Sequence, residues 1–212
     1  MAKLIIKGTD SLKAERLEKH LRRPEILLQP QIPKPLHEVN PRTILGKTWW
    51  DIERRKAYNL HNYKCHVCGY NPTLNPYRKL LDAHEIYEYD YPNGRAYFRE
   101  VVALCYYCHS FIHLGRAIIM NGQGKISNKE FDSIEKYGNK ILKEAHLTKR
   151  DYQGKVAVWE NWRLVINGIE HEPKFKSFHA WAKHYGVQIK ILYDNSDDYY
   201  DDLLDLDYHG DN

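Results

Sequence analysis

Long apolar runs are missing from this sequence. No window approaches the roughly 18 apolar residues that a membrane-spanning helix requires, so no contact with a membrane is expected. The opening run, Met1-Ala2-Lys3-Leu4-Ile5-Ile6-Lys7, is too short for a signal peptide, which points to a reducing, cytoplasmic setting. Cysteine is scarce. The chain has four, all in two CxxC pairs, Cys65/Cys68 and Cys105/Cys108, so none is left over for a disulfide framework. In a reducing compartment this spacing points to metal. Basic residues are missing from one stretch: Asp194–Asn212 holds eight Asp and no Lys or Arg. Its self-repulsion predicts a disordered acidic tail over 191–212, which suits solubility or a basic protein partner. Residues 1–193 are left with 32 basic against 20 acidic residues, a net +12. A basic body of this kind suits a polyanion.

What is present divides the 212 residues into five segments. Residues 1–47 hold a short strand, a helix from Ser11 to Arg23 and an arm rich in proline (Pro30, Pro33, Pro35, Pro41). That arm either tracks a nucleic-acid backbone or packs on its own domain. Residues 48–120 form the centre. Thr48-Trp49-Trp50-Asp51 has the form of a capping box and predicts a helix to about Leu60. A strand is expected over 79–89, an Asn-Gly turn at 91–94, a return strand over 96–104, and one helix from Tyr107 through Ile119. Residues 121–149 add a helix capped by Ser127, with Phe131, Ile134, Tyr137, Ile141 and Leu142 on one face. Residues 150–190 read as a small β-hairpin/helix module, with strands at 156–159 and 162–166, a turn at Asn167-Gly168, and a helix from Phe178 to Tyr185. The class is α+β.

Two sites follow from the side-chain chemistry. Two CxxC turns supply two thiolates each, the donor set of a structural zinc, and Gly69 gives the first turn its freedom. Four thiolates close the coordination shell, so this Zn2+ should staple the fold and do no chemistry. His66, inside the first turn, is redundant as a ligand and is expected on the surface. His109 and His113 stand four apart on the predicted helix and share a face. His84 comes from the strand beneath. Three neutral imidazoles with open positions suit a second divalent ion.

The residues Cys65-x2-Cys68, Leu81-Asp82-Ala83-His84-Glu85-Ile86 and Leu104-Cys105-x2-Cys108-His109-x3-His113 together resemble the HNH, or ββα-metal, endonuclease family with an inserted four-cysteine zinc site. The resemblance covers about residues 48–116. It implies a ββα core, one catalytic divalent ion (Mg2+, Mn2+, Ni2+ or Zn2+) and hydrolysis of a DNA phosphodiester. In that family a strand residue binds the ion, the next residue is a His acting as general base, a hairpin Asn orients it, and helix histidines complete the shell. Carried over, His84, His109 and His113 hold the ion, Glu85 stands in the base position, and Glu100 stands where the Asn would be. In the other register His84 is the base and Asp82 or Glu85 replaces the ligand at Ala83. His84, Glu85 and His109 are thus the candidate catalytic residues. Arg54, Arg55, Lys79, Arg95, Arg99 and Arg116 are candidate contacts to DNA phosphates. A non-catalytic zinc module that binds DNA or protein is the competing expectation.

Overall fold

The computed structural model describes residues 22–74 and 80–186. The expected strand at 1–8, most of the helix from Ser11, Lys79 and the acidic tail lie outside those residues.

The architecture is α+β, a four-stranded sheet with helices packed against it. Strands β1 (Asp82–Asp90) and β2 (Arg95–Leu104) form an antiparallel hairpin. Strand β3 (Arg163–Ile166) runs parallel to β2, and β4 (Ile169–His171) returns against β3, giving the order β1-β2-β3-β4. The tight β3–β4 turn places Asn167 at φ 51° and Gly168 at φ 80°, the left-handed pair that Asn-Gly favours. Residues 163–171 therefore continue the hairpin's own sheet. The expected strand at 156–159 does not form. Ala157 N–H donates to Tyr91 O (2.8 Å), and the Trp159 and Trp162 indoles donate to Phe175 O and Ala157 O. Backbone and indole groups are satisfied there without a strand ladder, and Trp159–Asn161 is one 3-10 turn.

Strand alternation sets what each sheet face carries. Asp82, His84 and Ile86 oppose Leu104, Val102 and Glu100 on one face. On this face Val102, Leu104 and Ile86 pack with Phe111, Ile112, Ile134 and Leu142 in the main core. Glu85 and Tyr87 lie on the other face, where Tyr87, Tyr89 and Phe98 meet Leu36, Trp162 and Leu164. A bulge between Ile86 and Tyr87 gives β2 one extra residue, Arg99.

The proline-rich arm packs on its own domain. It forms two 3-10 turns, Pro24–Leu28 and Lys34–Leu36, that bury Ile26, Leu27, Pro35 and Leu36. Helix α1 (Pro41–Leu60) starts earlier than Thr48. Asn40 is its cap: the side chain accepts from Thr43 N–H (2.9 Å), and Thr43 Oγ1 accepts from Asn40 N–H (3.2 Å). The helix breaks at Gly46 (φ 84°), so its longer part does begin near Thr48. Asp51 binds Lys47 and Arg54, not a helix N-terminus.

The expected single helix from Tyr107 to Ile119 is two. Helix α2 (Tyr106–Ile112) and α3 (Leu114–Gly122) meet at His113, whose φ −96° and ψ 47° turn the axis. The amide bonds from His113 to His109 O (3.2 Å) and from Ala117 to His113 O (3.1 Å) survive the turn. Helix α4 (Asn128–Glu144) is capped by Ser127, which accepts from Glu130 N–H (3.2 Å). Its Gly138 lies against the Phe111 ring. Helix α5 (Phe178–His184) packs Trp181 and Ala182 with Trp159 and Phe175 in a small aromatic core.

The contact at Gly138 gives a sharp test. A Cβ there would sit 2.2 Å from Phe111 ring carbons, whereas a Cβ at Gly115 meets nothing within 4 Å. Gly138→Ala is expected to destabilise by about 1–2 kcal/mol, overpacking outweighing the better helix propensity of Ala. Gly115→Ala should be neutral or stabilising. Urea unfolding of both variants measures the difference, and equal effects would show that the helix contact is loose.

Candidate metal centres

The first cluster joins three parts of the chain. Cys65 and Cys68 sit in the turn after α1, Cys105 caps α2, and Cys108 lies in the first turn of α2. The turn is shaped by Gly69, whose N–H donates to Cys65 O (2.8 Å) at φ 74°. Tyr70 N–H points to Cys68 Sγ at 3.5 Å. Cys65, Cys105 and Cys108 are buried and Cys68 is half-buried, and none forms a disulfide. All four sulfurs lie within 4.8 Å of one another, and Cys68 and Cys105 are 3.7 Å apart. A tetrahedral zinc with bonds of about 2.3 Å would place its sulfurs about 3.8 Å apart. The four cysteines can therefore hold a metal ion such as zinc. Cys68 is held well below the ordinary thiol range, first by hydrogen bonding from Cys105 and also from Tyr137.

His66 is buried and not on the surface as expected. Its N–H donates to Ala103 O (2.8 Å), and its Nδ1 lies 3.1 Å from the Ala103 N–H donor. It stands against His61, with ring centroids 3.6 Å apart. Burial and the neighbouring His61 lower its pKa to about 3, so it stays neutral. A polar residue between two ligands is spent on fastening the knuckle to β2.

The second cluster is built by β1 and the α2–α3 junction. His84, His109 and His113 each offer a nitrogen, and these lie within 4.8 Å of one another. His84 Nδ1 and His113 Nε2 are 3.2 Å apart, and the three ring centroids are separated by 4.9–5.3 Å. Bonds of about 2.0–2.1 Å to one tetrahedral ion put nitrogens about 3.3–3.4 Å apart, close to the His84–His113 distance. His84 is buried, and among the described residues its Nε2 has no hydrogen-bond partner. Burial lowers the pKa of His84 to about 2 and of His113 to about 4, reinforced by their histidine neighbours. Both imidazoles are thus neutral, the form that ligates metal. Asp82 Oδ2 accepts from His109 Nδ1 at 3.2 Å. The sequence alone offers Asp82 only as a substitute ligand. Its place two residues before His84, on the same strand face, was the available signal.

Glu85 is not part of this group. It points to the opposite sheet face, where burial raises its pKa against the influence of His109 and Arg42. Glu100 binds Arg23 Nη1 at 2.5 Å. Among the basic candidates, Arg54 pairs with Asp51, Arg95 with Glu170 (2.7 Å) and Arg99 with Glu88. Arg95 also donates to Asn161 O (2.7 Å), tying the hairpin to the approach of β3. Arg55 and Arg116 are exposed, and Arg116 is close enough to His113 to help lower its pKa. Among the described residues no helix is long and apolar enough to cross a membrane. Compared with known proteins, the chain matches no family model, no curated protein and no solved structure.

Two measurements follow. Cys108→Ser is expected to lose bound zinc and lower the Tm by more than about 10 °C, in line with the large folding contribution of structural zinc. Metal analysis checks it, with His113→Ala as the variant that keeps the clamp's zinc; a Cys108→Ser protein that retains zinc and stability would remove the clamp. The metal-free protein should also lose stability in acid. His66, His84 and His113 have folded pKa values near 3, 2 and 4, below the ordinary 6.5, so the unfolded chain binds more protons below that pH. Stability is then present above pH 6.5 and falls as the pH drops toward those values, by up to about 1.4 kcal/mol per pH unit for each group. Urea unfolding at several pH values reads the slope, and His66→Gln should make it shallower.

Proposed function

We propose that this protein is a metal-dependent DNA endonuclease of HNH type. The observation that carries the reading is the convergence of His84, His109 and His113 from a hairpin strand and the following helix, beside a four-cysteine clamp. On this reading the clamp takes Zn2+ and fixes the hairpin to the helix, while the three imidazoles hold a second ion, Mg2+, Mn2+, Ni2+ or Zn2+. That ion would polarise a phosphoryl oxygen and lower the pKa of water. The chain's part is to keep three neutral nitrogens in place and leave the remaining positions open. The net +12 of residues 1–193 attracts the polyanion, and exposed Arg55 and Arg116 are the candidates best placed to meet phosphates.

The base assignment changes. Glu85 lies on the far face of β1, so on this reading it is no longer the general base. Asp82 and His109 lie on the cluster's face, with side-chain exposures of 48% and 21%. The same displacement of Glu85 favours a second reading, an HNH-like scaffold that binds DNA or a protein without cutting.

Plasmid cleavage under Mg2+, Mn2+, Ni2+ and Zn2+ in turn separates the two. On the nuclease reading, His84→Ala and His113→Ala each lower the rate by about 100-fold or more, and Glu85→Ala by less than about tenfold. Gel-shift affinity for DNA with no cleavage under any of the four ions would establish the second reading.

A further inference from the structure

Beyond the three imidazoles, one carboxylate stands against the cluster and is given no role by the ligand set. We propose that Asp82 is a positioning residue that orients His109 and raises its strength as a ligand. This inference rests on the three-imidazole metal centre, and adds the control of that centre by a carboxylate outside it.

The argument starts from donor and acceptor inventories. An ionised Asp only accepts hydrogen bonds, so the 3.2 Å contact between Asp82 Oδ2 and His109 Nδ1 requires the hydrogen on Nδ1. A neutral His109 then carries its lone pair on Nε2, and one tautomer is selected. The three nitrogens that gather within 4.8 Å are those of His84, His109 and His113; among the described residues the group includes no carboxylate oxygen. Asp82 is therefore a partner of a ligand and not a ligand. A carboxylate on the far nitrogen of a metal-binding imidazole fixes ring orientation and increases its basicity, and its loss typically weakens metal binding by about 10–100-fold.

The fold holds this arrangement from both sides. Asp82 is the first residue of β1, paired with Leu104, and Cys105 comes next in sequence. His109 N–H donates to Cys105 O at 2.9 Å. The strand end carrying the carboxylate and the helix turn carrying the imidazole are thus both anchored at the four-cysteine clamp. Among the described residues His84 and His113 have no such carboxylate: they face each other at 3.2 Å. Control falls on His109, the ligand that α2 presents nearest the strand end.

The test uses the full chain with zinc in the clamp, titrated with Co2+ and followed by its visible ligand-field absorption. Wild type is expected to bind one further Co2+, without the sulfur charge-transfer bands that thiolates give. Asp82→Asn and Asp82→Ala should bind it about 10–100-fold more weakly, with the shape of the band kept. Binding as tight as wild type in both variants overturns the inference and leaves the metal centre standing. A band of changed coordination number in Asp82→Asn also overturns it, because Asp82 would then be a ligand. A wild-type chain that takes up no second Co2+ removes the metal centre and this inference with it. Urea unfolding of both variants, expected to keep a midpoint close to that of wild type for a half-exposed contact, separates ligand control from a general loss of structure.

Discussion

The closure of four sulfurs within one small space governs the rest of this structure. Cys65 and Cys68 come from the turn after α1, Cys105 from the end of β2, and Cys108 from the first turn of α2. Four sulfurs gathered within 4.8 Å make physical sense around a metal ion that compensates thiolate charge. Layers of ordinary protein structure are fastened to this point. His66 N–H binds Ala103 O, and Arg23 N–H binds His66 O (2.8 Å each), so knuckle, strand and arm are joined in sequence. Ile26 and Leu27 close the same core from the arm, and Ile134 and Leu142 close it from α4.

The histidine cluster is a consequence of that closure. His84 lies two residues along β1 from the strand end, on the face that α2 covers. His109 follows Cys108 directly, so its position is fixed once the clamp is made. His113 alone depends on a further device, the bend between α2 and α3, which occurs at His113 itself while the amide bond to His109 O is kept. The bend changes the course of the helix at the residue whose Nε2 meets His84. A straight continuation would keep the i, i+4 relation to His109 but would send the following turn elsewhere.

Much of this was legible in the sequence because short-range rules set it. The hairpin followed from alternation and Asn-Gly, the cap of α4 from Ser127, the β3–β4 turn from Asn167-Gly168, and the sulfur cluster from CxxC spacing. Several of the misreadings turn on a partner distant in sequence. Thr48-Trp49-Trp50-Asp51 has capping-box composition, but Asn40 and Thr43 make the box, and Gly46 breaks the helix between them. Residues 156–159 have strand-like composition, yet Ala157 is held by Tyr91 and Trp159 by Phe175, so no neighbouring strand remains to pair with. His66 looked superfluous because its partner, Ala103, is 37 residues away. Glu85 alternates with His84 along β1 and so serves the other sheet face.

The same long-range pairing alters the electrostatic argument. The net +12 of residues 1–193 counts charges without regard to where they point. Arg54, Arg95 and Arg99 each face a carboxylate of the same chain, and Arg95 additionally fastens β2 to the segment leading into β3. A phosphate must compete with those partners, and counterion release counts only the phosphates that are actually neutralised. On the proposed reading the footprint would therefore be smaller than the composition implies and weighted toward Arg55 and Arg116. Arg116 lies on α3 just beyond His113, where the charge that attracts a phosphate would also stand beside the imidazoles. Burial first, then His109 and the Arg116 charge, keep His113 unprotonated, so on the proposed reading attraction of the anion and readiness of the ligand would act in the same direction.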